Sequence, residues 1–408
     1  MITYRRTPAL VAAELDAYTP SYGSSVRALD QSLGAAPGTD DLIDLTHGDT
    51  RAFPPPASAS VDFNAAIMEN KEAYSPYRGS ANVRRLLAPR AAALLGRTID
   101  PASELILTPG TQGGLFCALS AMVSPGDVIA FPSKEYFMDE RISAFLGAAA
   151  HRIPMRQDPF GIITIDQADL ELASQRHARV LVLSHPNNPT GGVYSRESAE
   201  LLARWVVEHD MRAIVDQLYC RLVFDNNEYV HLGALPGMAE RTVTLIGPSK
   251  TESMSGYRVG AAVGPSEIVD AMEQVISLAS LRAAGYAQHT LRHWMDGDEV
   301  WLAERTIAHQ EIRDFLVDRL RAIPGVTVSA PAGSSYVFPD ISDTVWASQS
   351  GSDDDHVLAV ALKANGVLIS PGYQFGFDGR GHFRINFSQD HGRLALACDR
   401  IAQVLTRK

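Results

Sequence analysis

Residues 244–260, "TLIGPSKTESMSGYRVG", hold one of only five lysines in a chain of 408 residues. Lys250 follows the apolar run Val243-Thr244-Leu245-Ile246 and a Gly-Pro-Ser turn, and Arg258 stands 258 − 250 = 8 residues further on. The run reads as a buried strand and the turn as its exit. An amine at that exit occupies the place where α/β sheets bind ligands, outside the carboxyl ends of the strands.

The same pattern extends upstream. From Leu105, "LILTPG" precedes "TQGGLFCALSAMV", "DVIAFP" precedes "FMDERISAFLG" and "RVLVLSHP" precedes "SRESAELLARWVVEHD", while "RAIVDQLY" and "TVTLIG" continue the series. Near-continuous Val/Ile/Leu runs separated by helical stretches predict an α/β fold with a parallel sheet covered on both faces. Ser80 is placed to cap a helix over "ANVRRLLAPRAAALLG", which Pro89 should kink.

The first sixty residues read as irregular, with turn signals in "YTPSYGSSV", "LGAAPGTDD" and "RAFPPPASAS". Beyond Pro265 the alternation gives way to two long helical patterns, "SEIVDAMEQVISLAS" and "EVWLAERTIAHQEIRDFLVDRLRAI". After "PGVTVSAPAGSSYVFPDI" come a helix, "DHVLAVALKANGV", a polar loop in "SQSGSDDD" ahead of it, a strand, "HFRINFS", and a closing helix, "GRLALACDRIAQVLTRK". This end reads as a smaller α+β lobe. The expected division is an N-terminal arm and part of the small domain over 1–59, a large domain over 60–290, and a C-terminal small domain over 291–408.

Composition excludes several classes. Hydrophobic residues at 46% and charged residues at 20% are ordinary for a globular protein. No run reaches the roughly 18 apolar residues of a membrane span. A formal charge of −11 argues against nucleic acid as the main partner. Cys117, Cys220 and Cys398 are too dispersed for a zinc site or a disulfide framework, so no metal is expected. The N-terminus carries acids early and lacks a secretory apolar core, and the expected compartment is the cytoplasm.

Three further stretches fall at strand ends. "LTPGTQGG" opens a helix with hydroxyl, amide and N–H groups, "SHPNNPTGG" leaves the next strand, and "VDQLY" places Asp216 three residues before Tyr219. Each alone suits an ordinary turn or cap. Together with "SKTESMSGYRVG" they resemble the fold-type I pyridoxal-phosphate enzymes, within the class I and II aminotransferase group. The resemblance covers nearly the whole chain. It implies a three-layer large domain with a mostly parallel, mixed sheet of seven strands, and a homodimer with shared active sites.

The resemblance also implies roles. Lys250 matches the lysine that forms the Schiff base with pyridoxal 5'-phosphate and shuttles the substrate proton. Asp216 matches the carboxylate under the pyridine nitrogen, and Asn188 and Tyr219 the pair on the phenolic oxygen. Arg258, Thr111, Gln112 and Ser249 fall at phosphate positions, Tyr136 at the ring-stacking position, and Tyr74 at the tyrosine that reaches the partner subunit's phosphate. Arg384 in "HFRINF" matches the arginine that pairs with the substrate α-carboxylate. In "DLTHGDTRAF", Gly48 matches the glycine of the loop that closes over substrate, which puts His47 nearby. Three positions depart from the family pattern: Gly247 where many relatives have a hydroxyl, His185 where they have Asn, and Gln217 where they have Glu.

The implied activity is transfer of the α-amino group of an L-amino acid to a 2-oxo acid. The alternative is elimination and ring closure on a hydroxylated arginine, as in enzymes resembling capreomycidine synthase, with Asp49 as a candidate partner for a guanidinium. Regulators that carry this domain place a helix-turn-helix ahead of it. Family-like residues here begin by about Leu42 with no basic helical pair before them, so a regulator is not expected.

Overall fold

Alternation inside the apolar runs decides which side of the sheet each residue enters. In "RVLVLS", Val180 and Val182 pack into one core cluster with Ile214, Val243 and Leu245, while Leu181 and Leu183 pack into another with Ala213 and Val215. Two apolar faces require cover on both sides, and helices supply it. The computed structural model describes residues 7–13, 42–69, 72–350 and 355–407. The turns read in 18–26 and 33–41, and residues 351–354 of the expected polar loop 348–355, lie outside those residues. Residues 348–350 end the helix Val345–Ser350 and Asp355 begins the helix Asp355–Ala364, so that part of the loop reading is corrected.

Seven strands form the central sheet: β1 Leu105–Thr108, β2 Val128–Pro132, β3 Ala149–Ile153, β4 Ala178–Ser184, β5 Arg212–Asp216, β6 Thr242–Ile246 and β7 Gly260–Val263. Their spatial order is β1-β7-β6-β5-β4-β2-β3. Only β7 runs antiparallel, against β6 and β1, and the other neighbours are parallel. The mixed seven-stranded sheet is the α/β arrangement expected. Because β1, β2, β4, β5 and β6 point the same way, their exits share one edge of the sheet. Thr111, Tyr136, Asn188, Asp216 and Lys250 all follow those exits.

The second lobe is assembled from distant segments. Ile43–Asp44 pairs parallel with Val367–Leu368, and Phe383–Asn386 lies between Tyr336–Val337 and Ser370–Pro371, antiparallel to both. Helices Glu299–Arg321, Asp355–Ala364 and His391–Leu405 pack on these strands. One apolar cluster joins Ile43 and Leu45 to Leu316, Leu358, Ile385 and Ile401.

One expectation of the N-terminal part needs correction. The first sixty residues contain a helix at Pro8–Ala12, whose first turn is capped by Thr7, and the start of another at Ala57–Met68. Helix Ala81–Leu95 runs through Pro89 without a break; Ser80 caps it, with Oγ accepting from Val83 N at 3.3 Å. Gly96 ends it in the left-handed region at φ +67°.

Candidate active site

A cavity of about 190 Å³ opens at the carboxyl edge of the sheet, between the two lobes. Its lining includes Lys250, Asp216, Tyr219, Asn188, Thr111, Gln112, Ser249, Arg258, Tyr136, Arg384 and His47. Eleven of the thirteen residues singled out from sequence therefore converge. Gly48 does not line it: a Cβ there would sit 3.2 Å from Ser388 Cβ, and the neighbouring Asp49 N donates to Ser388 O at 2.7 Å. Tyr74 is 86% exposed, outside this cavity, with the Arg282 guanidinium 5.4 Å over its ring.

One end of the cavity suits a phosphate. The helix Gly110–Met122 begins there, and Gly110 takes φ +70°. A Cβ on Gly110 would lie 2.7 Å from an Arg258 terminal nitrogen, so glycine is what admits the guanidinium. Arg258 itself holds φ +51°, which is uncommon for arginine, and donates to Ser255 O at 2.9 Å. Ser249 is buried, and its Oγ has no hydrogen-bond partner among the described residues. An orphan hydroxyl, a helix N-terminus and a guanidinium are the donor set of a phosphate cradle.

Gly247 explains one departure from the family pattern. A Cβ there would lie 3.2 Å from Thr111 Cγ2 and 3.3 Å from Gly260 Cα. The side chain of Thr111 occupies the space that a hydroxyl on residue 247 would need.

The middle of the cavity holds Asp216 and Lys250. Asp216 Oδ1 accepts from Leu218 N at 3.1 Å. Burial pushes its carboxyl up to about 6, against the pull of that N–H and of Lys250. Behind it, Gln217 and His185, the other two departures, take part in a buried set. Gln217 Oε1 meets His231 Nδ1 at 2.8 Å, His231 packs edge-on to Tyr229, and Tyr229 stacks on His185 with ring centres 4.2 Å apart. Burial lowers His185 to about 3 and His231 to about 4, so both are neutral. Tyr136 OH donates to Gln112 Oε1 at 3.1 Å. The exits of β2 and β4 are tied by Glu135, which accepts from Tyr136 N at 2.8 Å and Ser184 N at 3.0 Å. Burial raises that carboxyl to about 8.

The opposite wall centres on Arg384. It donates to Asn188 Oδ1 at 2.7 Å and to Ser370 Oγ at 3.2 Å, while its Nε is buried without a partner among the described residues. Its guanidinium lies 4.1 Å over the Tyr336 ring and 4.9 Å over Phe375. Sequence reading placed the stretch "GSSYVF" among the loops of the side-chain pocket and gave Tyr336 itself no role. The signal was register: Tyr336 pairs with Asn386, so Arg384, two residues along, is its diagonal neighbour on the same face. Tyr219 OH donates to Tyr336 OH at 2.9 Å. Burial alone would raise Tyr336, yet Arg384 and Lys250 bring it down to about 8, while Tyr219 is pushed well up.

His47 lines the cavity rim, and Thr46 fixes its tautomer. Thr46 Oγ1 donates its only proton to Asp44 Oδ1 at 2.6 Å and meets His47 Nδ1 at 2.8 Å, so His47 Nδ1 must be the donor. Asp49 does not line the cavity, and its carboxylate accepts from Arg51 N at 2.8 Å and Arg51 Nε at 3.4 Å. Residues absent from the sequence reading that line the site include Ser184, Phe137, Leu115, Leu218 and Ser255. They are the apolar and small filling between the functional groups, with no chemical signature to read.

An aspartate aminotransferase from Rhodobacter sphaeroides has a similar solved structure. It is 37% identical with a TM-score of 0.84, over 93% of this chain and 99% of that one. An aromatic-amino-acid aminotransferase of Thermococcus litoralis is 27% identical over 91% of this chain and 94% of its own. An arginine–pyruvate transaminase of Pseudomonas aeruginosa is 27% identical over 89% and 90%. The family described as aminotransferase class I and II matches residues 40–401, a span holding every lining residue above. With its sheet, strand-end cavity and near-complete sequence match in agreement, the chain belongs to the class I and II aminotransferases.

Proposed function

We propose that this aminotransferase moves the α-amino group of an L-amino acid to a 2-oxo acid, with pyridoxal 5'-phosphate as its cofactor and Lys250 as its attachment point. The observation that carries the reading is a lysine amine, an enclosed carboxylate and an arginine with an unpaired buried Nε on the walls of one cavity. When bound, pyridoxal 5'-phosphate supplies an aldehyde for amines and a ring that withdraws electrons from the substrate α-carbon.

Each side chain then has a task. Lys250 Nζ would take the proton from the substrate α-carbon and hold it for return. Asp216, once ionised, holds a proton on the facing ring nitrogen. Tyr219 and Asn188 would hold the ring hydroxyl, and Tyr136 would pack against the ring. Thr111, Gln112, Ser249 and Arg258 bind the phosphate, which fixes the ring against rotation. Arg384 takes the α-carboxylate in a two-pronged pair, and that fixes which substrate bond faces Lys250. His47 and Gly48 belong to the loop at the substrate side.

A homodimer is part of the reading. Tyr74 and Tyr77 stand exposed with Arg282 lying over both rings, and Tyr74 is proposed to reach the partner's phosphate. The cytoplasm suits three free cysteines. The named relatives act on acidic, aromatic and guanidinium side chains, so membership leaves the side chain open. The cyclisation alternative draws no support from Asp49, whose carboxylate is engaged by Arg51.

The test is to load the purified protein with pyridoxal 5'-phosphate and offer ¹⁵N-labelled amino acids with a 2-oxo acid. Label should appear in the new amino acid, and Lys250→Ala should reduce transfer by about 10²–10⁴-fold. Label released as ammonia instead of transferred would overturn the reading.

A further inference from the structure

Tyr219 and Tyr336 both line the catalytic cavity, are both buried, and bring their phenol oxygens to 2.9 Å with Tyr219 as the donor. Of two hydroxyls in such contact, one can lose its proton while the other donates to it. Burial disfavours charge on both oxygens, so their neighbours decide which one it is. Tyr336 faces the Arg384 guanidinium, centred 4.1 Å over its ring, and also the Lys250 amine and the Asn386 amide, and all three favour charge on its oxygen. Arg384 pulls on Tyr219 as well, but there the Asp216 carboxylate opposes it and holds the proton on. The charge therefore belongs to Tyr336.

The hydrogen bonds around that oxygen point the same way. The Asn386 carbonyl accepts from Ser388 N at 2.9 Å and its Nδ2 donates to Ser335 Oγ at 3.1 Å, which leaves the other N–H of that amide for Tyr336. The Tyr336 oxygen thus receives from Tyr219 and from Asn386, and among the described residues it donates to none. An oxygen ringed by donors and cations is a base. Lys250 already has the α-carbon proton to move, yet the reaction has an earlier proton to dispose of. An amino acid enters as its α-ammonium, and only the neutral amine attacks an aldehyde. With the α-carboxylate on Arg384, that ammonium is one carbon away from the group that lies over the Tyr336 ring.

We propose that Tyr336 is a second base of this site, whose phenolate removes one proton from the α-ammonium of the incoming amino acid. One N–H bond breaks and one O–H bond forms, leaving a neutral amine and a neutral phenol, with no change in oxidation state. The proton stays on the Tyr336–Tyr219 pair and returns to the amine of the amino acid that leaves at the end of the cycle. Lys250 acts at carbon and Tyr336 at nitrogen, so the two bases do not compete. The phenolate stands on the geometry of the cavity, while its task rests on the transaminase reading.

The test uses the enzyme loaded with pyridoxal 5'-phosphate and labelled with ¹³C at the phenol carbon of its tyrosines, followed by NMR across pH. One tyrosine should ionise at about 8, and its signal should be missing in Tyr336→Phe. In Arg384→Gln the same titration should move to higher pH, because the nearest cation is gone. Kinetics with the amino acid that transfers fastest then reads the task. In the parent, kcat/KM should rise with pH and level off at about 8. In Tyr336→Phe that break should move up to the pKa of the substrate's own ammonium, and kcat/KM at neutral pH should fall by about ten- to a hundredfold, more than kcat does. Installing 3-fluorotyrosine at 336, a more acidic phenol, should move the break below that of the parent. A tyrosine that merely supports Arg384 would lower the curve in Tyr336→Phe without moving its break, and that result overturns the base. If no tyrosine ionises below the ordinary tyrosine range, the phenolate falls and the proposal with it. Failure of the transaminase reading would look different, since amino transfer would be absent with every amino acid while the NMR titration stood.

Discussion

The sheet side of the cavity takes Thr111, Asn188, Asp216 and Lys250 from the exits of β1, β4, β5 and β6, four strands that run the same way in one ladder. The other side takes His47, Tyr336 and Arg384 from a loop and from strands of two to four residues drawn from distant parts of the chain. On the sheet side, backbone pairing sets positions to within the precision of the ladder, and each group needs only its own strand. On the other side, positions depend on side-chain contacts such as Tyr336 beneath Arg384 and Thr46 against His47. The first wall is suited to hold a cofactor rigidly. The second is suited to substrate, which must enter and leave.

The largest expected effect lies on the sheet side. Asp216→Asn keeps the shape and removes the charge, and turnover should fall by about 10²–10³-fold, as for other preorganised charges. A pH series sharpens this. In the cofactor-free protein Asp216 is raised to about 6, so it is protonated below that pH and ionised above it. Cofactor affinity, measured by titration from pH 5 to pH 8, should weaken as the pH drops through about 6, and Asp216→Asn should lose that dependence. The stability effect has the opposite sign. Folding favours the protonated carboxyl, so the contribution is complete below the ordinary carboxylate range and is lost as pH rises through about 6. An affinity profile that is flat across this window in the parent protein would mean the carboxylate is ionised by a partner other than the cofactor.

Next in size is Arg384→Gln, which probes the substrate side. KM for the amino acid and for the 2-oxo acid should both rise by about 10–100-fold, because both carry the α-carboxylate. Arg384→Lys should recover little, since a point charge cannot supply the planar fork. Asn188 loses its 2.7 Å partner in either variant, so cofactor affinity should drop slightly as well. If only KM changes and cofactor binding is untouched, the two walls are energetically separate. If both change together, the Arg384–Asn188 bond couples them.

The same contrast governs what could be read in advance. "SKTESMSGYRVG", "VDQLY" and "NNPTG" were legible because the chemistry demands particular side chains beside strand ends, and strand ends are marked by Gly and Pro. The mixed sheet was legible from its unbroken apolar runs. Tyr336 was not, because its role comes from pairing with a strand some fifty residues later, and register across such a distance leaves no local mark. The short helix at Pro8–Ala12 was hidden by its length, for five residues are too few to show a period. Pro89 costs the helix a backbone hydrogen bond without ending it, because Leu87, Ala88 and Ala91 on either side of the proline pack in the core.

A smaller effect tests whether the short-stranded wall acts through its hydroxyl pair. Tyr336→Phe leaves the ring under Arg384 and removes the acceptor of the Tyr219 proton. Turnover should fall by about three- to tenfold, the scale of one hydrogen bond. In a double-mutant cycle with Tyr219→Phe, measured on kcat/KM, the coupling should be about 1 kcal/mol. Additive effects would show that each tyrosine acts alone and that the two walls meet only through Arg384.

The smallest effect concerns the sheet wall's tolerance. Gly247→Ala places a methyl 3.2 Å from Thr111 Cγ2 and 3.3 Å from Gly260 Cα, and one of those neighbours is backbone. A wall fixed by ladder hydrogen bonds yields little, so the substitution should cost about 1 kcal/mol or somewhat more, read as a drop of a few degrees in Tm. Thr111→Ser removes the methyl that causes one of the two contacts. In the Thr111→Ser background the cost of Gly247→Ala should therefore shrink, and a serine at 247 should become tolerable. If Gly247→Ser is instead neutral in the parent protein and tightens cofactor binding, the sheet edge gives way more easily than the ladder implies. The contrast between a rigid wall and an adaptable one would then have to be drawn at the strand exits themselves.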